Sequence, residues 1–175
     1  MKNKLKKPYI RIYYNNDEIP SYIRKQILDL NDKLTCKIAS LYRDMNVGWS
    51  VNLHNLNNSF KDPNQFYVTA QVGCNENSKV VGFIEFYDDP GEDFTPKATT
   101  IQNIWVEPEY RKMGIGSKLV RTVTTDIRKH NQFFLSAAVN NYEAIKFWMN
   151  VGFDTPIHTT YHMNPSEGIT EDEND

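Results

Sequence analysis

Residues Ile101 to Gly116 read IQNIWVEPEYRKMGIG, an apolar run that halts at a proline and reaches two glycines just ahead of a helical pattern. Pro108 lacks the backbone N–H that a sheet ladder requires, so a strand ending at Val106 must give way to a turn. The basic pair Arg111 and Lys112 follows, then Gly114, Ile115 and Gly116, then SKLVRTVTTDIR. Ile115, Leu119, Val120, Val123 and Ile127 fall on one stripe, which predicts an amphipathic helix running to Arg128. Glycines at a helix start let the backbone come close to a ligand. The unpaired N–H groups and positive dipole end of that helix favour an anion. The spacing predicts an anion cradle for a phosphate or pyrophosphate.

Two familiar cradles do not fit. A P-loop needs Lys and Ser/Thr after the last glycine of its run, and no such run occurs. A dinucleotide fingerprint needs a third glycine three residues after Gly116, where Leu119 stands. The arrangement Arg111-x-x-Gly114-x-Gly116 after a strand ending V-E-P-E-Y resembles the acetyl-CoA signature of the GNAT superfamily of N-acetyltransferases. Downstream, Asn141-Tyr-Glu-Ala144-Ile145-Lys-Phe147-Trp148 with Gly152-Phe153 resembles that family's second cofactor element. The two motifs stand in the family's order, and the resemblance covers roughly Lys79 to Met163.

The resemblance implies a single α/β (α+β) domain over residues 1–165: a mixed, largely antiparallel sheet flanked by helices. The sheet is splayed between the strand ending at Val106 and the one starting at Phe133. Residues 166–175 form an acidic tail expected to be disordered. The chain's own pattern supplies the elements. Tyr9 to Tyr14 alternates as a strand, and Pro20-Ser21 opens a helical stripe expected to break near Asn31-Asp32 into two helices. Gln65–Val72 and Lys79–Tyr87 form a hairpin, Ala98–Val106 the next strand, and Phe133–Val139 a strand buried on both faces. Asn140 and Glu143 read as a capping box for the helix that follows, and Phe153 to Met163 provides one or two final strands.

Composition narrows the function. A formal net charge of −2, from 20 basic and 22 acidic residues, leaves no basic excess for nucleic acid. No run approaches the ~20 apolar residues of a membrane span, and the basic start lacks an apolar segment behind it. Cys36 and Cys74 are far apart with no metal-like spacing, so a reduced, cytoplasmic setting is expected. His158 and His162, four apart on a strand, span about 13 Å and cannot share a metal, so no metal is expected.

The resemblance implies acetyl-CoA as co-substrate and an amine of a small molecule or protein as acceptor, with a homodimer left open. It assigns the main chain of Ile104, Trp105 and Val106 to the pantetheine arm. The N–H groups of Arg111, Lys112, Met113, Gly114, Ile115, Gly116 and Ser117 fall to the pyrophosphate. Asn141 and Phe147 belong to the second cofactor element. For acid and base the pattern departs: Trp148 stands where relatives carry a tyrosine, and an indole N–H delivers no proton near neutral pH. Tyr142, or Tyr161 in a late strand, is the substitute acid. On the strand before the cradle Gln102 stands where relatives often carry a glutamate; Glu85, one strand away, is the alternative base. A water chain held by Gln102 would need no dedicated base. The competing reading is a non-catalytic acyl-CoA-binding or regulatory domain of the same fold.

Overall fold

The computed structural model describes residues 7–13, 18–44, 60–89, 98–128, 131–138 and 140–153. Five strands run in chain order across one sheet: β1 (Tyr9–Tyr13), β2 (Gln65–Val72), β3 (Lys79–Asp89), β4 (Ala98–Val106) and β5 (Gln132–Leu135). The first three pairings are antiparallel, and β4 with β5 is parallel. A parallel neighbour needs a crossover, and α2 (Ile115–Arg121) supplies it. Helix α1 (Ser21–Asp44) covers one face, while α2 and α3 (Tyr142–Asn150) cover the other.

Helix α1 packs Ile23, Ile27 and Leu30 onto Tyr13, Tyr67, Val80 and Phe83. The expected break at Asn31-Asp32 does not occur; α1 is continuous through both residues. Asn and Asp cost a helix interior only a few tenths of a kcal/mol. Burying each apolar side chain on the stripe contributes about 1.5–3 kcal/mol, so packing overrides propensity. On the opposite face Leu119, Val120 and Val123 meet Val68, Ala70, Ile84, Phe86 and Ile101, with Trp148 closing the cluster.

Beyond Arg121 the crossover helix widens. Thr122–Ile127 is π-helical, and Arg128 N–H reaches back five residues to Val123 O at 2.8 Å. Thr125 Oγ1 donates to Arg121 O at 2.7 Å, the side-chain competition with the helix ladder that threonine invites.

Strand β5 ends at Leu135, not Val139, and its residues are at most half-buried. Its outer position explains this: among the described residues it pairs with β4 alone. Of the final strands expected at 153–163 only Phe153 is described, and it is in no strand; residues 154–163, the tail and residues 45–59 lie outside the described residues. Cys36 and Cys74 are free and exposed. No helix among the described residues is long and apolar enough to cross a membrane.

Candidate active site

The sheet opens where β4 and β5 part. Their pairing ends at Ile101 with Leu135, yet β4 continues to Val106. Glu107 N–H donates to Val81 O at 2.9 Å, which sets the phase of the ladder with β3. By antiparallel alternation the main chain of Trp105 then faces β3, while that of Ile104 and Val106 faces away, into the splay. Two of the three residues expected along the pantetheine arm therefore present unladdered groups, and Trp105 does not. Val106 O accepts from Arg111 Nε at 2.9 Å, and the Arg111 guanidinium lies 4.7 Å over the Trp105 ring.

The glycine turn lies beyond Val106. Lys112 and Gly114 both take positive φ, 58° and 76°, and helix α2 starts from Gly114. Its first ladder bond is Lys118 N–H to Gly114 O at 3.0 Å, so the N–H groups of Ile115, Gly116 and Ser117 have no acceptor within the helix. Arg111 N–H, by contrast, donates to Pro108 O at 3.2 Å. The expected amide run thus starts after Arg111. The two glycines also differ. A Cβ on Gly114 would meet nothing within 4 Å, whereas one on Gly116 would sit 3.1 Å from Phe147 Cε2. Gly114 keeps the cradle open, and Gly116 admits the Phe147 ring of α3. Open space, free amides and the exposed cations Lys112 and Lys118 fit an anionic group.

Asn141 caps α3, its Oδ1 accepting from Ala144 N–H at 3.3 Å. The capping box expected at Asn140 is replaced by this single cap. Asn140 instead donates Nδ2 to Leu41 O of α1 at 2.8 Å, tying the start of α3 to the far end of α1. Trp148 is buried between Phe147 and Phe153.

On the α1 face, a polar cluster is built around a carboxylate. Glu85 is 0% exposed. Its Oε1 accepts from Tyr67 OH at 2.8 Å and Gln65 Nε2 at 3.0 Å, and its Oε2 accepts from Asn103 Nδ2. Gln65 Nε2 also donates to Gln102 Oε1 at 3.2 Å. The two candidates Gln102 and Glu85 are therefore joined through Gln65. A bulge makes this possible. Glu85 pairs with Asn103 and Phe86 with Ile101, so Gln102 is the extra residue, and alternation breaks between Ile101 and Ile104. Gln102 and Asn103 consequently both reach the α1-face cluster. Tyr142, the third candidate, opens α3 with 75% exposure and lies outside this cluster.

Sequence reasoning missed Gln65, Tyr67 and Asn103. The signals were present: β2 puts Gln65, Tyr67, Thr69 and Gln71 on one face, and the consecutive polar pair Gln102-Asn103 interrupts an apolar strand. Alternation of this kind reads as a solvated face, but α1 and Phe60 cover it. A second network ties α1 to the end of β4. Lys33 of α1 pairs with the buried carboxylate of Glu107, which also accepts from Trp105 Nε1 at 3.4 Å.

Comparisons with known proteins bear on this geometry. The family model described as acetyltransferase (GNAT) family matches residues 37–153. No match was found among curated proteins. Among solved structures, the chain is similar to an aminoglycoside acetyltransferase from an uncultured soil metagenomic sample, in complex with sisomicin. That match has 18% identity and a TM-score of 0.60, covering 90% of this chain and 97% of that one. The ribosomal-protein-alanine N-acetyltransferase of Brucella melitensis biovar Abortus 2308 matches at 15% identity and TM-score 0.61, covering 90% and 99%. A Bacillus halodurans protein matches at 13% identity and TM-score 0.65, covering 89% and 99%. At these identities the likeness is one of fold. The family model covers more than half of the chain, including the splayed strand, the glycine turn and the capped helix α3, and the protein accordingly belongs to the GNAT family of acetyltransferases.

Proposed function

We propose that the protein transfers the acetyl group of acetyl-CoA to a primary amine of a small molecule or a protein. One observation carries this reading: the β4 edge that β5 leaves unladdered at Ile104 and Val106 leads to an open helix start at Gly114. A strand-like pantetheine arm can pair with that edge while the amides from Lys112 to Ser117 receive its pyrophosphate. Phe147 reaches the start of α2 from α3, and Asn141, the N-cap of α3, is the residue assigned to the pantetheine region. From Val106 back to Gln102, four residues of strand cover about 13 Å, so a pantetheine arm running along this edge would bring its thioester near the bulge.

The amine nitrogen attacks the thioester carbonyl carbon, the C–S bond breaks, and the sulfur departs with the electron pair. The amine proton passes to water. Glu85, wholly enclosed by Tyr67, Gln65 and Asn103, acts as the charged anchor of the cluster, and Gln102 is the member of that cluster open to substrate. Tyr142 is the phenol available to protonate the sulfur. A non-catalytic acyl-CoA-binding role is the second reading, favoured by Trp148 at the family's acid position and by the enclosure of Glu85.

The test is thiol release from acetyl-CoA in the presence of polyamines, aminoglycosides, amino acids and peptides. Amine-dependent release establishes transfer and the acceptor class. Tight binding of acetyl-CoA with no release from any amine supports the second reading.

A further inference from the structure

The orientation of one exposed amide follows from donor and acceptor chemistry. A carboxylate accepts only, so the Gln65 amide must turn its nitrogen toward Glu85. That nitrogen has two protons. One goes to Glu85 Oε1 at 3.0 Å, and the other points at Gln102, 3.2 Å away. A proton facing Gln102 demands an acceptor there, so Gln102 must present its oxygen inward and its NH2 outward. Flipping Gln102 would set two NH2 groups against each other and lose the bond. Gln65 is buried and Gln102 exposed, so the chain Glu85–Gln65–Gln102 carries a fixed polarity from the buried charge to the surface of the site.

We propose that Gln102 is a hydrogen-bond donor to a substrate oxygen at the bulge, with Gln65 the positioning residue that fixes its polarity. The oxygen belongs either to the thioester carbonyl or to a carbonyl or hydroxyl of the acceptor. This deepens the acetyl-transfer reading and rests on it. It goes beyond the water chain expected at Gln102, because an outward N–H can donate directly to a substrate oxygen. Gln102 sits where the ladder to β5 has ended and the free β4 edge starts, so the substrate's reacting end reaches it.

The experiment compares wild type with Gln102→Glu, Gln102→Met and Gln65→Met. It measures calorimetric affinities for acetyl-CoA and CoA, and steady-state thiol release with spermidine, tobramycin and an alanine-terminated peptide. If the oxygen is the thioester's, the preference for acetyl-CoA over CoA falls about three- to tenfold in both Gln102 variants. If it is the acceptor's, that preference holds and the KM for the amine rises by a similar factor. Gln65→Met shifts the same quantity less, with CoA affinity unchanged, which a merely structural loss would not do. The proposal is overturned if Gln102→Glu keeps both the preference and every amine KM, or turns over faster as an added base would. Failure of wild type to bind acetyl-CoA would instead sink the acetyl-transfer reading, and is seen before any variant is compared.

Discussion

Tyr67 donates its hydroxyl to Glu85 Oε1 at 2.8 Å, and both residues are completely shielded from solvent. A hydrogen bond to an enclosed carboxylate is worth more than one at a surface, because the alternative is an under-satisfied buried charge. Tyr67→Phe keeps the shape of the ring and removes the donor. It should lower unfolding stability by about 1–3 kcal/mol in urea titrations, without altering the m-value. A variant as stable as wild type would mean that this bond carries no weight in the fold.

The Phe147 ring of α3 lies close over Gly116 of α2. Gly116→Ala places a methyl 3.1 Å from Phe147 Cε2 and 3.2 Å from Cζ, so the ring must shift. Overpacking of this kind costs about 1–3 kcal/mol. Adding Phe147→Leu should return part of the loss, giving a coupling energy in a double-mutant cycle. Additive effects would show that the two helices are not in contact there.

Tyr13 gives the fold an alkaline limit. Burial pushes its phenol above the ordinary value of 10.0, opposed in part by the hydrogen bond from Gln71 Nε2. A raised folded value means that the protonated phenol stabilises the fold fully below about pH 10, the unfolded value, and that this contribution is lost as pH rises above it. Melting curves between pH 8 and pH 11 should show a decline in Tm that Tyr13→Phe reduces. An identical decline in both proteins would assign the alkaline limit to other groups.

The strand end, glycine turn and helix start proposed to hold the cofactor could be read from local sequence, because they lie on one continuous stretch. The end of β4 at Val106, the turn at Gly114 and the start of α2 are each fixed by neighbours within a few residues. The Glu85 cluster could not be read in that way. Gln65, Tyr67, Glu85, Gln102 and Asn103 come from three strands, and only the pairing register and the bulge at Gln102 bring them together. The two glycines show the same divide. Sequence treats them alike, yet only Gly114 faces open space, since the position of Phe147 depends on how α3 packs. Helix α1 shows the same divide: the polar pair Asn31-Asp32 suggests a break, but burial of Ile27 and Leu30 just before it holds the helix together.

The central claim is that the Gly114 cradle receives the pyrophosphate of acetyl-CoA, and calorimetric titration of acetyl-CoA tests it most directly. Gly114 takes φ 76°, so the control must be a residue that tolerates this region, and Gly114→Asn does. Gly114→Glu adds a side-chain anion to the same position. The account predicts that wild type binds acetyl-CoA, that Gly114→Asn binds it more weakly, and that Gly114→Glu shows no binding while remaining folded by circular dichroism. Equal affinity in wild type and Gly114→Glu would contradict it.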